Sequence, residues 1–533
     1  MVKMTGGEAL VKSLYLEGIR VIFGLPGVQL YHALDALSQE PGIRFITTRH
    51  EQATAYMADG YSRAGGGIGT ALMVPGPGLQ NASAGIGTAY AASSPILVVS
   101  GQIERDLIGV NRGILHEVND QLDTVRAVTK WAHRIMDPAE VPEAVHEAFH
   151  QLRTGRPRPV EIEIPPETLA EVADIELIEP EDYPRQPASS AQIATAAQIL
   201  SSAAKPLIWV GGGAVSSGAT EALIQVAEYL QAPVVSTPEG KGAISDHHYL
   251  SLGALRLRGD PIAQASTGHD VVLAVGTRLA NPNLLDGQQV IQIDIDPEEL
   301  GRNYGNTVGI QGDARRTLEE LFSALSAAGP ARPSQRSELD AMKAARSESA
   351  LRVEPQESLL GAIREAMPDD GILISGMTQV GYYSRTNFPV YEPGTYLTSS
   401  YAGNLGFAYP VALGAKVAQP GKAVVAVSGD GGFLFNSQEL ATAVQHGINA
   451  VVVVFNDNAY GNVLRDQITR FDGRAYGAEL HNPDFVKLAE AYGVRGIRAH
   501  GPGELESSLR EALAVDAPTL IEVPVEMMPS PFG

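Results

Sequence analysis

The sequence predicts an α/β protein built from three doubly wound domains, each on a mainly parallel sheet. Three observations lead there. Short β-branched runs alternate with helix-period stretches almost throughout, the pattern of parallel strands joined by crossover helices. At 533 residues the chain exceeds what one core supports, and about three domains is the usual division. A glycine-rich turn over Ser428–Glu439, between an apolar strand and a helix, marks the ligand-facing end of one such sheet.

The first helix covers Gly7 to Glu17, with Leu10, Val11 and Leu14 on one face and Gly18 as its stop. Strand Arg20–Phe23 follows and runs into the turn Gly24-Leu-Pro-Gly27 at a carboxyl strand end. A helix from Leu30 leads to strand Arg44–Thr48, then to Arg49-His50-Glu51 and a helix from Gln52 to Ala64. Strand Thr70–Val74 ends in Pro75-Gly-Pro-Gly78; a small-residue helix and strand Ile96–Ser100 come next. The first domain closes on strand Val160–Ile164 and is bounded at residues 1–180. A Pro-rich, acidic linker over 165–190 introduces the middle domain, 190–325, with strands Pro206–Val210, Val271–Val275 and Val290–Asp294. Residues 325–356 read as a second polar connection. The last domain occupies 356–533 and ends in a loose or surface-packed tail from Met527.

Composition narrows the function. Hydrophobic residues make up 44%, the share of a globular protein, and a net charge of −22 argues against nucleic acid or anionic membrane as a partner. The chain has no cysteine, which excludes disulfides and thiolate metal sites and fits a cytoplasmic protein. The N-terminus lacks the apolar core of a signal peptide, and no apolar run is long enough to span a bilayer.

The chemistry concentrates in Ser428-Gly-Asp-Gly-Gly-Phe433 and Phe455-Asn-Asp-Asn-Ala-Tyr-Gly461. Strands Ala423–Val427 and Ala450–Phe455 precede them, with a helix between that Gly447 closes. Asn436 is read as that helix's N-cap, with Glu439 completing a capping box. Asp430 and Asp457 lie 27 residues apart in sequence but at neighbouring strand ends. Two carboxylates in one pocket call for a cation between them, most simply a hard divalent metal. Gly429, Gly431 and Gly432 let the backbone come close to a ligand, as phosphate loops require.

A glycine-flanked aspartate followed by a second strand ending in Asn456-Asp457 resembles the diphosphate-binding motif of thiamine diphosphate-dependent enzymes. The resemblance implies a pyrimidine-binding, a middle and a diphosphate-binding domain. It implies that Asp430, Asp457 and the Ala459 carbonyl hold Mg²⁺, which holds the cofactor's diphosphate, with Tyr460 in the same loop. The family usually has Asn at position 457, so this chain carries one more negative charge there. Arg49-His-Glu-Gln-Ala-Thr-Ala-Tyr-Met-Ala-Asp-Gly-Tyr-Ser-Arg63 is similar to the family's catalytic-glutamate segment. Glu51 would then bond the aminopyrimidine ring nitrogen, a proton-sharing role open to a buried carboxyl and closed to an exposed one. By position alone, Glu51 reads first as a first-turn carboxylate that favours the helix dipole, and it is the resemblance that reverses this. Gly403-Asn-Leu-Gly-Phe-Ala-Tyr-Pro410 resembles the segment gripping the aminopyrimidine, with Leu405 propping the bent cofactor, and Gly376, Thr378 and Gln379 resemble diphosphate contacts. Because the family places the glutamate and the diphosphate on different subunits, a homodimer is the minimum expectation and a homotetramer is common.

The overall layout resembles the acetolactate synthase and 2-oxo acid decarboxylase branch. Val28 occupies a slot that is acidic in pyruvate decarboxylases, which favours carboligation of 2-oxo acids with an aldehyde or ketone. Decarboxylation, or aldehyde lysis of the benzoylformate decarboxylase and benzaldehyde lyase type, is the alternative. On the loop that rims the site, His116 is the candidate proton relay for whichever reaction follows, with Gln121 and Gln29 as weaker polar candidates. Gly240-Lys-Gly242, Gly276-Thr-Arg278 and Ile293-Asp-Ile-Asp-Pro297 resemble a middle domain that often binds FAD, while Gly211-Gly-Gly213 by itself is a weak dinucleotide signal. Two departures weigh against a role in branched-chain amino acid synthesis. Ala254-Leu-Arg-Leu-Arg-Gly259 replaces a Met-His-Gly segment, and Tyr460–Gln467 lacks the specificity tryptophan. A non-catalytic relative and a nicotinamide dehydrogenase are the rival classes.

Overall fold

A computed structural model describes residues 1–255, 268–280, 287–349 and 352–531. A two-stranded antiparallel ribbon pairs β1 (Val2–Thr5) with β8 (Val172–Ile175). Between them lie β2 (Val21–Gly24), β3 (Arg44–Thr47), β4 (Gly69–Met73), β5 (Ile96–Gly101), β6 (Trp131–Arg134) and β7 (Val160–Ile164). They form a parallel sheet in the order β3-β2-β4-β5-β7-β6. The middle sheet, β11-β10-β9-β12-β13-β14, uses β9 (Pro206–Val210), β10 (Val234–Ser236), β11 (Ser251–Ala254), β12 (Val271–Val275), β13 (Gln289–Asp294) and β14 (Thr307–Gln311). The third, β16-β15-β17-β18-β20-β19, uses β15 (Ile372–Ser375), β16 (Tyr396–Thr398), β17 (Val424–Gly429), β18 (Val451–Asn456), β19 (Arg495–Arg498) and β20 (Thr519–Pro524). In each sheet the sequence order reverses near the middle, between β2 and β4, β9 and β12, and β15 and β17; in the first and third sheets it turns back again at the edge, where β6 and β19 lie outside β7 and β20. Ligands bind at such reversals, beyond the carboxyl ends of the strands.

The inner strands are buried on both faces, which is why they read as unbroken Val, Ile and Leu runs. Helix α1 (Gly6–Leu16) starts from a Thr5–Glu8 capping box and buries Leu10, Val11 and Leu14 as its spacing predicts. The helices that shape the site are α2 (Glu51–Tyr61), α3 (Pro77–Ala92), α4 (Ala408–Ala418) and α5 (Glu439–His446). Gly447, at φ 62°, ends α5 in the left-handed conformation expected of a closing glycine.

Several sequence expectations change. The Asn436 capping box does not form: α5 starts at Glu439 and the Asn436 amide donates instead to the Gly406 carbonyl and Gln52 Oε1. Glu439 turns outward to the first domain, accepting from the Arg49 N–H at 3.1 Å, and burial pushes its carboxyl up to about 7. A tertiary contact has taken over both members of the local motif. The linker over 165–190 contains helix Pro166–Ala170 and β8, which ties the N-terminus down. The connection over 325–356 contains the end of helix Ala314–Ala328 and helix Arg336–Ser349. Strands β10, β11 and β14, too short or too polar to stand out, were not expected. The tail is surface-packed: Met528 is buried and the Pro529 carbonyl accepts from Gln356. Residues 256–259 of the Ala254–Gly259 segment lie outside the described residues.

The first and third domains share one apolar core, joined where α2 crosses α4. A Cβ on Gly60 would lie 2.1 Å from the Val411 carbonyl oxygen, and one on Gly414 2.0 Å from that of Met57. Only glycine lets the two backbones approach so closely. Gly60→Ala and Gly414→Ala should each destabilise the protein by about 1–3 kcal/mol in denaturant unfolding. Gly361→Ala, in open space on helix Gln356–Ala366, should instead stabilise it by up to about 1 kcal/mol.

Candidate active site

The sheet reversals place one half-site on the third domain. The turn after β15 carries Gly376, Met377, Thr378 and Gln379; the turn after β17 carries Gly429 to Gly432. A Cβ on Gly429 would sit 3.6 Å from Thr378, and one on Gly432 3.6 Å from Leu405, so these expected contacts converge. Gly403, at φ 65°, lies against Met377. Gln379 is partly committed, because its Oε1 accepts from Arg465 at 2.8 Å. Tyr460 covers Gly431, where a Cβ would come within 2.6 Å of the ring.

Asp430 is almost fully buried; burial raises its pKa, opposed by N–H donation from Gly431 and by Asn482. Asp457 is raised to about 6, by burial first and then by the charge of Asp430. The two carboxylates therefore feel each other, as expected of a pair at adjacent strand ends. Asn482 Nδ2 lies 2.6 Å from Asp430 Oδ2 and 3.0 Å from Asn456 Oδ1, and the Ala459 N–H donates to Asp457 Oδ1 at 3.2 Å. Among the described residues no three His, Cys, Asp or Glu side chains gather, so a cation here would take two carboxylates plus carbonyl or amide oxygens. Such an all-oxygen set suits a hard divalent ion.

The other half-site lies on the first domain. Glu51 opens α2 behind the His50 cap, with 8% of its surface exposed. Its Oε2 accepts from Asn81 Nδ2 at 3.1 Å, and Oε1 faces Gly78, whose Cβ would lie 3.4 Å away. His116 adopts φ 70° and its Nδ1 lies 3.1 Å from Gln29 Oε1. Gln121 is buried and accepts from the Gly76 N–H at 2.8 Å. Gln29, Glu51, and His116 with Gln121 thus lie beyond the ends of β2, β3 and β5, around the turn after β4, while Val28 is 47% exposed.

The chain brings the domains into contact near both half-sites through Gln52 with Asn436 and Asn404 with the Ala84 carbonyl. Among the described residues no hydrogen bond or ion pair joins Glu51 to Asp430 or Asp457. A third cleft, of about 1800 Å³, lies where the three domains meet and includes Arg156, Gly212, Thr277 and Asp294. At the middle-sheet reversal Gly211 and Gly213 are needed to let the two turns meet: a Cβ on Gly211 would lie 2.4 Å from the Gly276 carbonyl oxygen. Asp294, at the end of β13, has its pKa raised by burial, opposed by the Asp296 N–H and Arg156.

Sequence reasoning missed Asn81 and Asn482. Asn81 sits on the exposed flank of a helix that reads as a plain small-residue segment, and Asn482 lies 52 residues past Asp430 in a loop with only an Asn-Pro turn signal.

Comparison with known families bears on this geometry directly. Residues 4–124 match the N-terminal TPP binding domain of thiamine pyrophosphate enzymes, 193–321 the central domain, and 376–523 the C-terminal TPP binding domain. Relatives include a probable acetolactate synthase large subunit of Methanocaldococcus jannaschii, 35% identical over 99% of this chain and 93% of that protein. The acetolactate synthase large subunit of Haemophilus influenzae is 35% identical over 97% and 93%. A probable 2-ketoarginine decarboxylase of Pseudomonas aeruginosa is equally similar, 35% identical over 98% and 94%. With three parallel-sheet domains matched and both half-sites at the expected strand ends, this chain belongs to the thiamine pyrophosphate enzymes, in their acetolactate synthase-like branch.

Proposed function

We propose that the protein is a thiamine diphosphate- and Mg²⁺-dependent enzyme that decarboxylates a small 2-oxo acid and joins the remaining fragment to an aldehyde or ketone. The observation that carries this reading is the pairing of a Glu51 half-site without a charged side chain at Val28 with an Asp430–Asp457 half-site of raised carboxyl pKa. Bound thiamine diphosphate supplies the electron sink for loss of the substrate carboxylate. Asp430, Asp457 and the Ala459 carbonyl would hold the metal, and Thr378 and Gln379 would donate to the diphosphate. Glu51 Oε2 is oriented by Asn81, which leaves Oε1 to hold a proton for the aminopyrimidine nitrogen. Leu405 would support the cofactor's bend from its place beside Gly432.

Val28, Tyr31, Leu115, Phe435 and Phe471 are exposed apolar side chains of the first and third domains, which supports a homodimer at least, with a homotetramer as the family resemblance implies. In the middle domain, Asp294 and the reversal between β9 and β12 support a nucleotide such as FAD, with Asp294 on the ribose. Among the described residues no helix is long and apolar enough to cross a membrane, and a cytoplasmic location remains part of this proposal.

The contact between His116 and Gln29 favours a second reading, in which His116 protonates the decarboxylated fragment and an aldehyde is released. Incubation with a panel of 2-oxo acids, with CO₂ measurement and chiral product analysis, separates the two. Carboligation predicts chiral hydroxyketones or acetohydroxy acids, and His116→Ala should leave their yield intact. Aldehyde as the main product, falling on the same substitution, would favour protonation instead.

Glu51→Gln should lower turnover by about 10²–10⁴-fold while thiamine diphosphate binding, measured by calorimetry, is nearly unchanged. Normal turnover by that variant would remove Glu51 from the mechanism. Chelation with EDTA should release the cofactor, and Asp430→Ala should prevent its binding even with excess Mg²⁺; retention in both cases would refute the metal site.

A further inference from the structure

Strand β7 is fully buried, yet it carries two glutamates, Glu161 and Glu163. Two residues apart on a strand, they point to the same face, and neither is exposed at all. Buried carboxylates are rare unless paired. The register sets Val98 beside Glu161 and Ser100 beside Glu163, on the sheet face covered by α3, which has no charged residue. The charged groups around the pair are Arg134 on β6 and, behind it, Asp120 at the head of helix Gln121–Arg126. One guanidinium therefore serves three carboxylates.

The pair is unequal. Glu163 is bonded by Arg134, by Gln102 Nε2 at 3.0 Å and by Gln121 Nε2 at 2.8 Å. That set of donors suits an ionised carboxylate. Glu161 touches only the Ser100 hydroxyl, 2.6 Å from Oε1, and its Oε2 is buried without a partner among the described residues. A second charge at Glu161 would stand unpaired in a dry interior, which costs several kcal/mol. Burial and then the charge of Glu163 push the Glu161 carboxyl well up, with Ser100 and Arg134 only partly opposing.

The network reaches the Glu51 half-site through Gln121. Its Nε2 also meets Ser100 Oγ at 3.0 Å and the Gly101 carbonyl at 2.9 Å, and its Oε1 accepts from the Gly76 N–H. Gly76, at φ 56°, packs so tightly that a Cβ would come within 2.2 Å of the His116 carbonyl oxygen. Two residues later Gly78 lies against Glu51. One chain of contacts thus connects the two buried glutamates, the Gln121 amide, the turn Pro75–Gly78, and the walls that hold His116 and Glu51.

We propose that the Glu161–Glu163 pair retains a single proton, held on Glu161, and that this one-proton pair fixes the Gln121 amide and with it the Gly76–Gly78 turn against Glu51. Both are positioning residues, and their catalytic relevance rests on the role proposed for Glu51. The neutral form of Glu161 is favoured by folding, so the stabilisation is complete below the ordinary Glu pKa and is lost as pH rises through the raised folded value. The half-site holds while the pair keeps its proton and loosens when the second carboxyl ionises.

Infrared difference spectroscopy and hydrogen exchange test this without turnover. Above the ordinary Glu pKa of about 4.3, the wild-type protein should keep a protonated-carboxyl C=O band that Glu161→Gln lacks. Amide exchange at residues 76–81, corrected for the intrinsic pH dependence, should accelerate when that band titrates away, and Glu161→Gln should abolish the acceleration. Absence of the band from the wild type would overturn the proposal, with no variant needed. So would its survival in Glu161→Gln, or a turn whose exchange ignores its titration. If the band and exchange behave as expected but no 2-oxo acid is turned over, the pair stands and the enzymatic reading alone fails.

Discussion

The close approach of α2 to α4 is the contact on which the rest of the architecture depends. Gly60 and Gly414 remove the side chains that would hold the helices apart, and the opposing carbonyls of Val411 and Met57 come into the space they vacate. Through that crossing the first and third domains share one apolar core while the middle domain keeps its own. The same crossing explains why Asn436 and Glu439 abandon a local cap. Their side chains are drawn to Gln52 and to the Arg49 N–H at the start of α2, next to Glu51. A helix start that looked self-contained is part of the joint that carries the catalytic candidate.

Carboxylates in apolar surroundings then divide into two kinds by what lies beyond them. Asp430 and Asp457 sit past the ends of β17 and β18, with glycines and oxygen donors around them, so a cation can enter and settle their mutual repulsion. Glu161 and Glu163 sit within β7, closed on every side, so only a proton or the neighbouring Arg134 can do so. The same physics makes a candidate ligand site at the open end of one sheet and, in our proposal, a brace inside another. Gln121 links the two kinds of environment by bonding Glu163 at one end of its amide and the Gly76 turn at the other.

Parallel-sheet topology supplies the third constraint. Each sheet has a reversal of strand order near its middle, and each of these lies beside a glycine-bearing turn: Gly76 after β4, Gly211 after β9 and Gly376 after β15. Two of these turns belong to the half-sites, and the third opens on the cleft where the domains meet. Repeating one fold three times therefore yields three candidate ligand positions with distinct chemistry, set by the few polar residues each turn presents.

The sequence alone determined the class of fold, because fully buried parallel strands must be apolar throughout and must be joined by helices, and both patterns are visible in linear order. It pointed to Asp430, Asp457 and Glu51 as candidates as well, since each follows a strand run and sits in a motif of contiguous residues. Tertiary structure decided what contiguous patterns do not encode. Asn482 reaches Asp430 from 52 residues away, and Asn81 reaches Glu51 from 30. The short strands β10 and β14 pair with longer neighbours, β9 and β13, and β11 is held in turn by β10. Glu161 and Glu163 alternate with Val160, Ile162 and Ile164 along β7, and only the packing of the folded domain shows that their face is buried too. Strand periodicity tells which residues share a face, but the packing of distant elements decides whether that face is wet or dry, and hence whether a carboxyl there is charged.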